Sequence, residues 1–434
     1  MIPLPARLYP LRPHPVQRAL VTSPARFKVV PAGRRSGKTE WAKRTVLKKA
    51  LRGTKFPDAR FFLGAPTRDQ AKAIFWADMK QMVNRELLAE PPRETELLLR
   101  LVNGSEIYVV GMDKPERIEG RPWDGGVLDE IGNMKAGAWG ENVRPALSDR
   151  KGWCWLIGVP EGRNHYYDLA KYAQSGDPEW GYFTWPSSDI LDPMEIAAAK
   201  RQLDELVFQQ EYEASFVNFE GRAYYPFLEG THTGSLAYNP AAPLALCFDF
   251  NVEPGVAAAV QEQTLPNGEE GTGVIAEVHI PRNSNTPAVC RKLLEIFAAH
   301  QGQVRCYGDA TGGSRGSAKV AGSDWDLIKA ELNPIFSGRI SYRVKQANPA
   351  ERARINAVNS RLKTADGVIH LMVDGHEAPQ TVRDFEGVQL LKGGSGEIDK
   401  QADQRLTHLT DAIGYYIDYE FPIVRRIATG ESMF

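Results

Sequence analysis

The segment Val29-Val30-Pro31-Ala32-Gly33-Arg34-Arg35-Ser36-Gly37-Lys38-Thr39 constrains the fold of this chain more than any other. An apolar run feeds a short loop of small residues, the loop closes on Gly-Lys-Thr, and a helix-forming sequence follows. That is the layout of a phosphate-binding loop. Its backbone N–H groups wrap the phosphates, Lys38 puts a point charge at the β/γ-phosphates, and the Thr39 hydroxyl is a ligand for Mg²⁺. The helix starting near Lys38 adds the positive end of its dipole. Gly33, Arg34, Arg35, Ser36 and Gly37 complete the nucleotide-contacting set. The usual pattern starts with glycine; here that position is Ala32, and Gly33 follows one residue later. A Gly-rich surface turn before an ordinary helix would look similar, but a strand before and a helix after favour the phosphate loop.

At 434 residues the chain is too long for one typical core, and two domains are the default. The net charge of −1 excludes a molecule that is basic overall, so any contact with a polyanion has to come from local patches. The four cysteines, Cys154, Cys247, Cys290 and Cys306, are widely spread and form no metal-binding CxxC pair, which fits a reducing cytoplasm. No apolar run approaches the roughly 20 residues that span a bilayer. The Pro-rich start lacks the apolar core of a signal peptide.

In the first half, apolar strands are expected at 27–30, 60–64, 126–128 and 153–159, with helices at 38–51 and from 68 through 88. A hairpin over 97–110 turns at Asn103-Gly104. Strands alternating with helices argue for a mainly parallel sheet covered on both faces. The strand Gly126-Val127-Leu128 runs into Asp129-Glu130, which delivers two acids to the carboxyl end of the sheet, where the phosphate loop also lies. Asp129 can hold Mg²⁺ and Glu130 can orient or deprotonate the attacking water. Arg34 and Arg35 are candidates to stabilise charge on the transferring phosphoryl group, with a solvated basic face as the alternative for one of them. Gln17 has an amide suited to an adenine edge, or to plain exposure.

In the second half, strands at 244–250, 255–262 and 273–279 read as an antiparallel meander, followed by a helix over 286–300 and a strand over 303–308. Asp249 ends the first strand and Asp309 the fourth, before Ala310-Thr311-Gly312-Gly313. Helices are expected at 349–362 and near 403–419, the latter carrying His408 and Asp411, with a strand at 368–373 between them. Asp249, Asp309 and Asp411 together suggest a two-metal carboxylate site for phosphodiester cleavage, in which hard oxygens suit Mg²⁺ or Mn²⁺. Lys345, Arg352, Arg354, Arg361 and Lys363 are candidates for a DNA-facing basic patch, with an exposed helix face as the alternative. The Gly-rich hairpin at 388–398 is a candidate gate for the carboxylates.

These residues resemble the large terminase subunit of tailed double-stranded-DNA bacteriophages, over nearly the whole chain. The resemblance is carried by the loop from Ala32 to Thr39, Ala65-Pro66-Thr67 with Gln70-Ala71-Lys72, the strand to Glu130, the 157–160 segment with Asn164, Gln210-Glu211-Tyr212, Asp249, Asp309 and Thr410-Asp411-Ala412. It implies an α/β chain with an N-terminal P-loop NTPase domain (1–186), a small linker or lid subdomain (187–222) and a C-terminal ribonuclease-H-like nuclease domain (223–434). It implies ATP and Mg²⁺ at Lys38, Thr39 and Asp129, with Glu130 as catalytic carboxylate, Arg34 acting in cis and Gln17 sensing adenine. A trans-acting arginine would be Arg117 or Arg121. Val159 stands where the family's coupling motif usually carries a small hydroxyl residue. Asp249, Asp309 and Asp411 match the nuclease ligands for Mg²⁺ or Mn²⁺. The implied partners are double-stranded DNA, the portal protein of the procapsid and the small terminase subunit. The resemblance further implies a homo-oligomeric ring when docked on the portal, with a monomer as the alternative in solution, and no membrane partner. The implied place is the host bacterial cytoplasm, at the portal vertex. The alternative is a helicase-like or repair NTPase whose second domain binds nucleic acid, which leaves Asp249, Asp309 and Asp411 unexplained.

Overall fold

A computed structural model describes residues 6–162, 164–217, 221–250, 253–310, 323–391, 396–399 and 406–423. It divides into two units. The first is built chiefly from Met1–Ile196 and Gln209–Asn218, the second from Ala197–Phe208 and Phe219–Val424, so residues 187–222 contribute to both.

The first unit is a seven-stranded sheet. Its strands are β1 (Phe27–Pro31), β2 (Arg60–Ala65), β3 (Leu98–Arg100), β4 (Glu106–Gly111), β5 (Gly125–Asp129), β6 (Trp153–Gly158) and β7 (Trp180–Tyr182), in the order β3-β4-β2-β5-β6-β1-β7. Every pairing is parallel except β3–β4, the hairpin closed by Asn103-Gly104 with Gly104 at φ 85°. The uninterrupted apolar runs are explained by burial on both faces. Val30 joins Phe61, Leu63 and Ile157 in one core with Leu20 of α1 (Pro15–Thr22) and with α2 (Lys38–Arg52). Phe27 and Val29 join Phe62, Leu128 and Leu156 in the other, with the helix His165–Ala173. Between 68 and 88 the helix is not continuous: a π turn at Lys72–Trp76 interrupts it, and it ends at Met82. Strand β6 lies between β1 and β5, with Pro31 opposite Gly158 and Asp129 opposite Ile157. The carboxyl ends of these three strands therefore share one edge, and whatever follows them is brought together there.

The second unit has its own seven-stranded sheet. It contains β9 (Thr233–Gly234), β10 (Leu244–Asp249), β11 (Gly255–Thr264), β12 (Glu270–Ile280), β13 (Val304–Gly308), β14 (Ile340–Tyr342) and β15 (Leu371–Asp374), ordered β14-β13-β10-β11-β12-β15-β9. The β10-β11-β12 meander is antiparallel, and β13 returns parallel beside β10. Helices Glu351–Leu362 and His408–Glu420 are largely buried. A two-stranded ribbon pairs β8 (Gly221–Arg222) with β16 (Gln389–Leu390). Part of the expected 388–398 gate, and Thr311-Gly312-Gly313, lie outside the described residues. All four cysteines are buried and free. Among the described residues no helix is long and apolar enough to cross a membrane.

Three of the five residues expected in a basic patch are engaged within the chain, whereas Arg352 is half-buried and Lys363 is exposed. Lys345 is paired with Asp418, Arg354 with Asp411 and Arg361 with Glu262, and Arg361 stacks 3.9 Å over the Phe421 ring. The helix that carries Arg354 and Arg361 is largely buried and packs on the helix His408–Glu420, so these two cations meet carboxylates of this chain.

Asp204 shows how a buried acid shapes the stability of the second unit. One carboxylate oxygen accepts from the N–H groups of Leu206 and Val207, each 3.1 Å away, and from the Tyr225 hydroxyl; the other has no partner among the described residues. Burial pushes this carboxyl up to about 6, against the pull of those donors. Between the ordinary value and that one, the folded state binds more protons than the unfolded state, so stability falls as pH rises through the window. In urea melts from about pH 4 to about pH 6, Asp204→Asn is expected to flatten this decline, with the wild-type chain losing stability relative to the variant.

Candidate functional site

In the first unit, β1 leads into the loop and α2 leaves it. Gly37 takes φ 81° and Arg35 φ 56°, two left-handed residues that coil the backbone around a centre. The loop is tied down from outside. The Gly33 N–H donates to Trp185 O at 3.0 Å and the Arg34 N–H to Glu211 O at 2.7 Å, while Ser187 Oγ donates to Arg34 O at 2.7 Å. Ser36 O accepts two hydrogen bonds, from Gln17 Nε2 and Trp185 Nε1, each at 3.0 Å. A Cβ on Gly33 would lie 2.4 Å from Ser187 Oγ and 2.6 Å from Tyr212 O. The close approach that demands glycine has thus moved one position along, and Ala32 sits fully buried in the core.

Gln17 is 2% exposed, and its amide is engaged within the chain. Its Oε1 accepts from Trp41 Nε1 at 3.0 Å while its Nε2 holds Ser36 O, so here it braces the loop rather than presenting an adenine-reading edge. Arg35 is exposed. Arg34 is not: its Nε donates to Glu211 Oε2 at 2.5 Å.

The acids stand where the strand register puts them. Asp129 is 1% exposed, and Thr39 Oγ1 donates to its Oδ2 at 2.7 Å. Burial raises the Asp129 carboxyl above the usual range, the charge of Glu130 adds to this, and Lys38 and the Thr39 hydroxyl oppose it. A buried carboxylate next to a hydroxyl, with its charge disfavoured, is a hard-oxygen pair suited to a divalent cation. Glu130 adopts φ 56°, a left-handed conformation unusual for a side chain of its size, and one of its oxygens lies 4.0 Å from Lys38 Nζ. The other accepts from the Val159 N–H at 3.4 Å, a backbone contact that needs no hydroxyl at position 159. Asn164 caps the helix His165–Ala173 and donates to Gly132 O at 2.8 Å, linking the exit of β6 to the turn after Glu130. Of the trans-acting candidates, Arg121 lies over the Tyr108 and Trp123 rings at 5.1 and 6.0 Å, and Arg117 sits in the short turn Pro115–Ile118. Trp185 and Ser187 carried no recognisable signal in the sequence, and Glu211, marked only within Gln210-Glu211-Tyr212, gave no sign that it would brace the loop, because each meets the loop across about 150 residues or more.

In the second unit, Asp249 ends β10, and Asp309 follows β13, its parallel neighbour, with Phe248 opposite Gly308. Asp411 lies in the first turn of His408–Glu420. Burial raises the hydroxyl of Tyr415, one helical turn beyond Asp411; the charge of Arg354 opposes this, and those of Asp309, Asp249 and Asp411 add to it. Each also has a partner within the chain. His408 Nδ1 is 2.9 Å from Asp249 Oδ2, Asn348 Nδ2 donates to Asp309 Oδ1 at 2.7 Å, and Arg354 donates to Asp411 Oδ1 at 2.6 Å. The donor chemistry suits Mg²⁺ or Mn²⁺, but the arrangement does not fit one as it stands. Among the described residues, no group of three or more His, Cys, Asp or Glu is assembled to hold a metal.

No family model matches the chain. It is 29% identical over 251 residues to the large terminase subunit of Thermus virus P23-45, covering 49% of this chain and 50% of that protein. It is 26% identical over 217 residues to the large terminase subunit of Escherichia phage T5, covering 49% and 48%. The alignments thus span about half the length of these curated relatives. The fold is similar to the large terminase of a thermophilic bacteriophage solved in complex with ADP, with a TM-score of 0.57 at 15% identity over 94% of this chain and 98% of that one. The chain is therefore similar to phage large terminase subunits in sequence over half its length, and in fold over nearly all of it.

The braced loop makes a sharp prediction. Gly33→Ala forces a Cβ into Ser187 and the Tyr212 carbonyl. Overpacking of this kind costs about 1–3 kcal/mol, so affinity for a fluorescent ATP analogue is expected to fall about fivefold or more. Ala32→Gly leaves it near wild type. Trp185→Phe, which keeps the ring and removes the N–H, weakens binding about three- to tenfold through the loss of one buried hydrogen bond.

Proposed function

We propose that this chain is the large subunit of a viral DNA-packaging terminase, with an ATPase in its first unit and an endonuclease in its second. The observation that carries the reading is the convergence at the carboxyl ends of β1, β5 and β6. There a coiled phosphate loop, a Lys–Glu pair and a buried Asp–Thr pair meet on one sheet edge. The likeness to phage large terminases, including one solved both with ADP and with ATP-γ-S, supports ATP as the nucleotide.

In the mechanism we infer, the loop N–H groups and the start of α2 receive the phosphates, and Lys38 neutralises charge at the β/γ oxygens. Thr39 and Asp129 would hold Mg²⁺, which when bound would offset the negative charge of the phosphate oxygens. Glu130, fixed by its left-handed backbone and the Val159 N–H, orients the attacking water and takes up its proton. Arg34 is held near the loop by Glu211, from where it can turn to the charge that develops on the γ-phosphoryl group. Hydrolysis then drives double-stranded DNA into a procapsid, with phosphate-directed contacts that need no sequence reading. The second unit cuts concatemeric DNA using Asp249, Asp309 and Asp411. The functional division we propose is 1–186 for the ATPase, 187–222 for the linker and 223–434 for the nuclease. The portal protein and the small terminase subunit are the proposed partners, and the host cytoplasm is the proposed setting.

Two separable activities test this. Lys38→Ala and Glu130→Ala are expected to lower ATP turnover by at least about 100-fold while plasmid cleavage in Mn²⁺ persists. Asp249→Asn is expected to abolish cleavage and leave ATP turnover within about twofold. Survival of both activities in all three variants would contradict the assignment.

A further inference from the structure

The carboxylates of the second unit do not stand ready for a metal, and the side chain most responsible is Arg354. It is 5% exposed, its guanidinium donates to Asp411 Oδ1 at 2.6 Å, and it stacks 4.6 Å over the Tyr415 ring. The helix His408–Glu420, which carries Asp411 and Tyr415, packs on β10 and β13, the strands that lead to Asp249 and Asp309. Arg354 is therefore a buried cation bound to Asp411 beside the ends of those strands. It is not locked like a structural strut: its buried Nε has no hydrogen-bond partner among the described residues. A guanidinium presents five N–H donors, and leaving one buried and unpaired is costly.

A second observation points the same way. Gly414 sits inside the helix His408–Glu420, where glycine costs about 1 kcal/mol relative to alanine. A Cβ there would lie 2.8 Å from Arg354 Cγ and 2.9 Å from its Cδ. The glycine leaves the groove in which the arginine stem lies across the helix, and with it the path that brings the guanidinium to Asp411.

We propose that Arg354 is the resident counter-cation of the Asp249, Asp309 and Asp411 cluster, so that the cluster loads divalent metal only when Arg354 releases Asp411. The inference rests on the nuclease reading of the second unit. It makes cutting conditional: a nuclease in a packaging motor stays unloaded until its arginine is drawn away, for which the phosphate of bound DNA is a natural competitor.

The test is Mn²⁺ binding to the full chain, followed by the electron paramagnetic resonance of free Mn²⁺ and by thermal melts. The Asp249→Asn chain defines the binding that does not involve the cluster. Arg354→Gln removes the competing charge, and Gly414→Ala expels the stem without changing any charge. Both are expected to raise cluster affinity about tenfold or more over wild type. Arg354→Lys, which keeps a cation, is expected to stay within about threefold. Arg354→Gln is also expected to melt lower than wild type without metal and to recover with Mn²⁺. Equal affinity in all chains, still abolished by Asp249→Asn, overturns the inference and leaves the nuclease reading standing. Binding no greater than that of Asp249→Asn in every chain overturns both. If Arg354→Gln fails to fold with or without Mn²⁺, Gly414→Ala decides, and unchanged affinity there identifies Arg354 as a strut.

Discussion

A phosphate loop works only if its backbone N–H groups point inward, and nothing inside an empty loop makes them do so. Here the restraint comes from outside. Ser36 O is held by two buried donors, Gln17 Nε2 and Trp185 Nε1, while Gly33 and Arg34 are tied by their own N–H groups to the carbonyls of Trp185 and Glu211. With the outer polar groups already satisfied, the coil set by Arg35 and Gly37 presents its remaining N–H groups and the first turn of α2 to an anion. The buried Asp129, the Lys38–Glu130 pair and the Arg34–Glu211 pair are all placed relative to that coil.

The two units differ in readiness. In the first, the residues expected to handle phosphate and water stand together, and the raised Asp129 carboxyl marks a place where a cation is welcome. In the second, the strand register brings Asp249 and Asp309 side by side and the helix adds Asp411, yet His408, Asn348 and Arg354 each occupy one carboxylate. Under the packaging function we propose, a motor that moves DNA has reason to keep cleaving carboxylates occupied while it moves.

Much of this was legible in the chain. Buried parallel strands leave uninterrupted apolar runs, so β1, β5, β6 and β10 stood out, and acids at their ends fell on the expected sheet edges. The Asn103-Gly104 turn marked its hairpin. What stayed hidden depended on distant partners. Gln17 carried no sign that Ser36 and Trp41 would take up its amide, and Trp185 none that it would clamp the loop. Arg354 and Arg361 looked like a solvated face because an arginine-rich helix usually is one, whereas this one is largely buried and packs on the helix His408–Glu420. The displaced glycine of the loop had a similar cause: the crowding at position 33 comes from Ser187 and Tyr212, far along the chain.

The central claim is that ATP turned over by the first unit moves duplex DNA. The most direct measurement is the amount of double-stranded DNA that becomes protected from added DNase when the full chain is mixed with cognate procapsids. Protection that grows with time in ATP and stops in ATP-γ-S is the predicted result. ATP hydrolysis at a normal rate with no protected DNA, or protection equal with and without ATP, would contradict it.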